Sequence, residues 1–117
     1  MEIFDENEKI TIKENNQFIG HLKYSISNDE LTIIIYYIND KYRGKNYGKY
    51  FFDYIDHKVK DNNIKIVKLD AREYYAYYDK LLNYYNKFGF VISDKEKIYN
   101  KWIDGELFRI IPMIKKY

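Results

Sequence analysis

Apolar positions along the chain change period several times, and each change marks an element. Between residues 17 and 26, Phe18, Gly20, Leu22, Tyr24 and Ile26 recur at every second position, the period of a strand with one buried face. With residues 8–14 this predicts a hairpin turning at Glu14-Asn15-Asn16-Gln17. After a second turn at Asn28-Asp29, the run Leu31 to Ile38 loses its alternation and becomes continuously β-branched and aromatic. Such a run predicts a strand in the middle of a sheet, covered on both faces.

From Tyr47 the period lengthens. Apolar residues at 47, 50, 51, 54, 55 and 59 follow the spacing of an amphipathic helix, leaving Lys49, Asp53, Asp56 and Lys60 to solvent, and Asp61-Asn62-Asn63 predicts its end. Ile64 to Ala71 returns to a strand pattern, so that strand, helix and strand form a unit whose two strands are expected to be parallel neighbours. A second helix is expected over Tyr75 to Phe88, with Tyr78, Leu81, Leu82, Tyr85 and Phe88 on one stripe and Gly89 as its stop. Phe90 to Ser93 reads as strand, and Ile98–Ile103 pairs with Glu106–Met113 across Asp104-Gly105. Pro112 lacks a backbone donor, which predicts an edge or a bulge. The fold class is therefore α+β: a central mixed, mostly antiparallel β-sheet with two main helices and a C-terminal β-hairpin, forming a single domain over residues 1–117.

Composition narrows the functions this scaffold serves. With 20 basic and 18 acidic side chains among 117 residues, the net charge of +2 supplies no large single-sign field, which argues against nucleic acid or an anionic membrane as partner. The chain has no cysteine, so disulfides, thiolate metal sites and a cysteine nucleophile are excluded. The N-terminus lacks the basic start and apolar stretch of a signal peptide, and no run approaches the roughly 18 apolar residues of a membrane span, so a cytoplasmic protein is expected. The 15 tyrosines share AT-rich codons with the abundant Lys, Asn and Ile, so their number is no binding signal and each must be argued by position. His21 and His57 have no short spacing to each other or to carboxylates, which predicts surface histidines and no metal.

The strongest chemical signal is Arg43-Gly44-Lys45-Asn46-Tyr47-Gly48-Lys49, a basic, glycine-containing turn between the apolar strand and the first helix. A helix start leaves N–H groups unpaired under the positive end of the macrodipole, and glycine lets a ligand approach the main chain; the order predicts a phosphate pocket made of backbone.

The Arg43–Gly48 segment resembles the cofactor signature of the GNAT superfamily of acyl-CoA-dependent N-acetyltransferases: Arg or Gln, two residues, Gly, one residue, then Gly or Ala. Asn46 stands where the first of those glycines usually lies; asparagine is the residue that most readily takes its place at positive φ. Tyr85-Asn86-Lys87-Phe88-Gly89-Phe90 is similar to the family's Tyr-x-Lys-x-Gly-Phe junction, and Met113-Ile114-Lys115 to its closing Met-x-Lys, in the family's order across residues 18–117. Members usually carry one or two helices after the first strand, so the resemblance is to a small, N-terminally minimal member with an open acceptor side.

The resemblance implies acetyl-CoA as cofactor and transfer of its acetyl group to a primary amine by direct attack. It places the pantetheine along the backbone of Tyr36, Tyr37 and Ile38 and the pyrophosphate on the Arg43, Gly44, Lys45, Asn46, Tyr47, Gly48 and Lys49 turn, with Arg43, Lys45 and Lys49 adding charge. It makes Tyr85 the general acid toward the coenzyme A sulfur; helical spacing alone makes Tyr85 a core aromatic. An asparagine often precedes that tyrosine by seven residues, and here the position holds Tyr78; Asn83 is out of register and takes no role. No base is assigned: Glu73, Asp70 and Asp40 are the nearest carboxylates, each also readable as a solvated loop charge, and a water relay serves equally. Trp102, Tyr99 and Glu106 on the terminal hairpin read either as cross-strand packing or as a border of the acceptor groove. The acceptor is a small-molecule or peptide amine, and an open cleft with an aromatic hairpin is compatible with a homodimer. Two other classes stand beside this reading. One is a catalytically inactive acyl-CoA-binding or protein-interaction module of the same fold. The other is a nucleic-acid binder, which needs a basic surface with interleaved aromatics.

Overall fold

The computed structural model describes residues 1–117, the side chain of Tyr77 excepted. The α+β class expected from the sequence is found, and the chain divides into two compact units, Met1–Lys65 and Ile66–Tyr117. No helix of the described residues is long and apolar enough to cross a membrane.

The first unit is an antiparallel meander of β1 (Glu2–Glu6), β2 (Lys9–Glu14), β3 (Gln17–Ser27) and β4 (Glu30–Ile38), followed by α1 (Gly48–Asp61). The β2–β3 turn falls at Asn15-Asn16, both at positive φ, as a tight hairpin demands. β1 was not expected. Its turn uses Asn7 and Glu8 at φ 53° and 61°, and a glutamate in that conformation gives no sequence signal.

Two bulges break the period of 2. Lys13 pairs with Phe18 and Ile12 with Gly20, so Ile19 is an extra residue in β3; Lys23 pairs with Ile35 and Tyr24 with Ile33, so Ile34 is extra in β4. The first bulge puts Phe18 on the same face as His21, against the simple alternation. The second ends the burial of β4: Leu31 and Ile33 are buried, but Ile34 is 56% exposed and Ile35 and Tyr37 are also open. The expectation of a strand covered on both faces is thus corrected. Gly20 is required where β3 and β4 approach, because a Cβ there would collide with the Tyr37 carbonyl.

Ile10, Ile12, Leu22, Tyr24, Leu31 and Ile33 form the inner face of the meander, and α1 contributes Phe51, Phe52, Ile55 and Val59 to the core. Tyr36 stands edge-on to Phe51 and Phe52, with centroids 5.5 and 5.3 Å away. Asp5 reaches the helix from β1: it accepts hydrogen bonds from Tyr54 Oη and Lys58 Nζ, each at 2.9 Å, and from Tyr24 Oη at 2.7 Å.

The second unit contains β5 (Ile66–Tyr74), α2 (Lys80–Asn86), β6 (Val91–Ile92), β7 (Tyr99–Ile103) and β8 (Glu106–Lys116). β8 pairs antiparallel with β5 along one side and with β7 and then β6 along the other. β5 runs past the expected end, with Val67, Leu69, Ala71 and Glu73 pointing inward. The second helix is shorter than predicted: Tyr75–Tyr77 form a 3-10 turn, Asp79 sits at φ 71°, and only Lys80–Asn86 are α-helical. Pro112 is not at an edge. It lies opposite Asp70 of β5, where the other side of β8 changes from β7 to β6, and its carbonyl accepts the Ser93 N–H at 3.0 Å. The missing N–H of a residue points the same way as its carbonyl, so it falls in the gap between the two short strands. The Asp104-Gly105 turn has φ of 50° and 80°, as expected.

Candidate functional site

The turn between β4 and α1 is built mainly from its own backbone. After Ile38 the chain makes a 3-10 turn, Asp40–Tyr42, and the Asn39 N–H donates to the Ile19 carbonyl at 2.8 Å, fixing where it leaves the strand. Arg43 folds back over this turn. Its Nε donates to the Ile38 carbonyl at 2.8 Å, Nη1 pairs with Asp40 at 2.8 Å, and the guanidinium carbon lies 5.5 Å from the centroid of the Tyr37 ring. Arg43 is thus a clip for the loop, a role the sequence did not show.

Gly44 at φ 74° and Asn46 at φ 65° are both left-handed. Asparagine therefore adopts the conformation the resemblance required of it. Tyr47 returns to right-handed backbone and α1 begins at the buried Gly48, with no side chain capping its start and no acidic residue in its first turn. The Tyr50 N–H donates to the Tyr47 carbonyl at 3.1 Å, and ahead of it the helix end receives no side chain and keeps its partial positive charge, the chemistry that receives phosphate. The Tyr47 hydroxyl donates to Glu14 at 2.6 Å and that of Tyr42 to Gln17 at 2.8 Å, and the two rings meet edge-on at 5.5 Å. These bonds tie the turn to the β2–β3 hairpin, and the one from Tyr47 to the Glu14 carboxylate raises its phenol above the ordinary value. Lys49 pairs with Asp53 at 3.2 Å, whereas Lys45 is exposed and has no partner among the described residues. Tyr36, Tyr37 and Ile38 lead directly into this turn, Tyr36 with its ring toward α1 and Tyr37 on the opposite face.

In the second unit, Tyr85 is 8% exposed, with its ring edge-on to Tyr84 at 5.4 Å and to Phe90 at 6.1 Å. Burial, and secondarily the Tyr84 phenol, push its pKa well above the ordinary 10, so the hydroxyl is protonated at neutral pH. Gly89 at φ 93° and the Phe90 N–H, which donates to the Tyr85 carbonyl at 3.2 Å, close the helix behind it.

Glu73 is no loop charge. It is 1% exposed, inside β5, with Oε1 bound to Nε of Arg109 at 3.0 Å and also to Nη2, and Oε2 accepting the Leu82 N–H at 3.1 Å. Arg109 also pairs with Asp79 at 2.9 Å and lies 4.3 Å from the centroid of the Tyr78 ring. With both oxygens engaged, Glu73 does not suit the role of base. The inward series Leu69, Ala71 continues to Glu73, a signal that extending the expected strand by two residues would have used.

His57 is exposed, as expected, but His21 is half-buried beside the rings of Phe18 and Tyr37. Tyr99 and Trp102 are exposed, Trp102 at 70%, and pair in register with Ile110 and Leu107. Among the described residues no group of carboxylates and histidines could hold a metal ion.

Comparison with solved structures finds the same fold at low sequence identity. The ribosomal-protein-S18-alanine N-acetyltransferase of Escherichia coli superposes with a TM-score of 0.78 at 14% identity, over 92% of this chain and 67% of that one. A GNAT family acetyltransferase from Elizabethkingia anophelis with acetyl-CoA bound gives 0.74 at 19% identity, over 93% and 75%. The PaiA N-acetyltransferase of Thermoplasma acidophilum, in complex with coenzyme A, gives 0.70 at 18%, over 93% of this chain and 60% of that one. Comparison with curated protein sequences gives no match. The profile of the Acetyltransferase (GNAT) family matches residues 2–90, most of the chain, and with that match the protein belongs to the GNAT acetyltransferase family.

Proposed function

We propose that the protein transfers an acetyl group from acetyl-CoA to a primary amine of a small molecule or peptide by direct attack. The observation that carries this reading is the left-handed Gly44 and Asn46 turn feeding a helix whose first turn has neither a capping side chain nor an acid. Bound coenzyme A rests its pyrophosphate on the N–H groups of this turn, with Lys45 as the cation still able to turn toward it, and its pantetheine along the backbone of Tyr36 to Ile38. The neutral amine attacks the thioester carbonyl carbon, the C–S bond breaks, the amine nitrogen loses a proton, and the departing thiolate takes one up. Tyr85 is the group assigned to that last step. Its raised pKa keeps the hydroxyl protonated at neutral pH, ready to donate a hydrogen bond to the sulfur as charge develops there, while full transfer of its proton to a thiolate with an ordinary pKa near 8.5 is uphill. Both relatives named above that hold coenzyme A or its acetyl form share the fold. We place this reaction in the cytoplasm.

Calorimetric titration with acetyl-CoA and coenzyme A tests the turn. Gly48→Glu, which puts a carboxylate into the first turn of α1, is expected to weaken both by about 100-fold or more. Unchanged affinity in a folded Gly48→Glu protein would remove the turn from the cofactor site. Tyr85→Phe is expected to lower kcat about 100-fold with little change in acetyl-CoA affinity. Coenzyme A binding without transfer to any amine would instead favour a non-catalytic acyl-CoA-binding module.

A further inference from the structure

The outer face of the β1–β4 meander, turned away from α1, carries an arrangement that the acetyl-transfer reading does not use. The strand register places Lys9 directly opposite Lys23, Thr11 opposite His21, and His21 opposite Tyr37. The bulge at Ile19 brings Phe18 onto the same face. Phe18 and Tyr37 lie nearly parallel, 16° apart with centroids 6.3 Å distant, and the His21 ring stands 5.9 Å from one and 5.8 Å from the other. The result is an aromatic platform on an open sheet.

Beside it, Lys9 and Lys23 are exposed and have no hydrogen-bond or ion-pair partner among the described residues. Lys9 faces Lys23 across one side of β2 and Glu6 across the other, so the acidic edge strand offsets part of the repulsion between the two lysines. Together with Phe4, Glu6, Asn7 and Thr11 they line a cleft of about 340 Å³, its one carboxylate on the β1 side. Lys13 adds a third cation, 5.7 Å above the Phe4 ring. Partial burial, and then Lys9 and Lys23, lower the pKa of His21 below 6.5, so at neutral pH its ring is an uncharged flat surface.

We propose that this face binds single-stranded nucleic acid, with bases stacked on Phe18, His21 and Tyr37 and phosphates against Lys9 and Lys23. Stacking tolerates any base, and paired lysines beside a platform supply the phosphate contacts that usually accompany it. The net charge of +2 argues against a field over the whole surface, but contributions beyond roughly 8 Å are screened in physiological salt, so the local cations decide here. Glu2 and Glu6, on the same face of the edge strand β1, repel phosphate there and confine the ligand to the β2–β4 side. An acidic peptide satisfies the lysines but leaves the platform idle, and a duplex hides its base faces.

Fluorescence anisotropy with a labelled single-stranded RNA dodecamer, the DNA counterpart and a duplex of the same length tests the proposal at low and physiological salt. Both single strands are expected to bind more tightly than the duplex, with a log–log salt slope of about −1.4 for two neutralised phosphates. Phe18→Ala is expected to weaken binding about 10-fold. Lys9→Gln with Lys23→Gln is expected to weaken it further and flatten the salt slope, while circular dichroism and acetyl-CoA titration report an intact fold and cofactor turn. A preference between RNA and DNA names the sugar and supports the proposal either way. No binding of either strand at low salt, equal binding of the duplex, indifference to Phe18→Ala, or equal displacement by oligoglutamate each overturns it, the last in favour of an acidic peptide. None of these results depends on acetyl transfer.

Discussion

Each of the two helices is fastened within its own unit by one carboxylate from a strand, but the carboxylates grip at different places. Asp5 holds α1 through the side chains of Tyr54 and Lys58, in the second half of the helix. Glu73 holds α2 by its beginning, accepting the Leu82 N–H in the first turn while Arg109 balances its charge. The choice of grip decides what the helix start can do. A first-turn N–H that receives a carboxylate of its own chain is satisfied internally, so the start of α2 is a structural joint. The start of α1 receives no carboxylate, and left-handed Gly44 and Asn46 stand just ahead of it together with the exposed Lys45. Two strand-to-helix connections in one small chain thus treat their helix ends differently: one is filled by a carboxylate of the chain itself, the other is left without a side-chain cap.

The largest break in this comparison comes from Glu73→Ala. It removes the main partner of Arg109 and leaves the Leu82 N–H without its acceptor, for an expected loss of about 3 kcal/mol. Glu73→Gln keeps an acceptor for Leu82 but not the charge, so its loss should be smaller. Urea unfolding at neutral pH checks both; an unchanged midpoint in the alanine variant would mean that α2 is not held at its start.

Asp5→Asn comes next, at about 1–2 kcal/mol, because the tyrosine donors retain an acceptor while Lys58 loses its anion. Its pH dependence identifies the grip. Burial alone would raise the Asp5 pKa, but the hydrogen bonds from Tyr24, Lys58 and Tyr54 outweigh it and hold the carboxyl below its ordinary 3.8. A depressed carboxylate contributes stability in full above its unfolded pKa and loses it as pH falls through the folded value. The gap between wild type and Asp5→Asn should therefore be constant from about pH 5 to 8 and close below about pH 4. A gap that persisted in acid would show that shape, not charge, is what the asparagine disturbs.

How far the sequence carried depended on whether a feature was local. Turns at Asn15-Asn16 and Asp104-Gly105, the periodic stretch of α1, and the left-handed turn at Gly44 and Asn46 ahead of it are written in adjacent residues and are found where the sequence puts them. The bulges at Ile19 and Ile34 were not legible, since an extra residue in a strand leaves no compositional mark and yet reverses every face beyond it. That single shift moved Phe18 to the side of His21 and opened β4 at Ile34. The burial of Glu73 was half legible: the alternation Leu69, Ala71, Glu73 pointed inward, but the arginine that makes such burial tolerable is 36 residues away in sequence. The shortening of α2 has a similar cause. Its tyrosine-rich stripe has helical spacing from residue 75 onward, but the left-handed Asp79, with its side chain committed to Arg109, sets the helix start at Lys80. The arginine clip at Arg43 was hidden because a basic residue in a phosphate turn reads as a ligand contact, and only geometry shows its Nε on the Ile38 carbonyl.

The smallest and sharpest test concerns Asn46, where the two connections can be compared at the level of one torsion angle. Asn46 and Asp79 both hold positive φ just before a helix, but Asp79 is anchored by Arg109, while Asn46 is exposed at the tip of its turn. If the left-handed conformation is what shapes the phosphate turn, Asn46→Gly keeps the shape and should change stability by no more than about 0.5 kcal/mol, with coenzyme A affinity retained. Asn46→Ala resists that conformation by about 1 kcal/mol and should weaken coenzyme A a few-fold, because the turn must be forced into place before the N–H groups line up. Equal loss of affinity in both variants would instead assign the contribution to the asparagine side chain, and the glycine-like role of Asn46 would have to be abandoned. The contrast between glycine and alanine at this one position therefore separates a site made of backbone from one made of side chains.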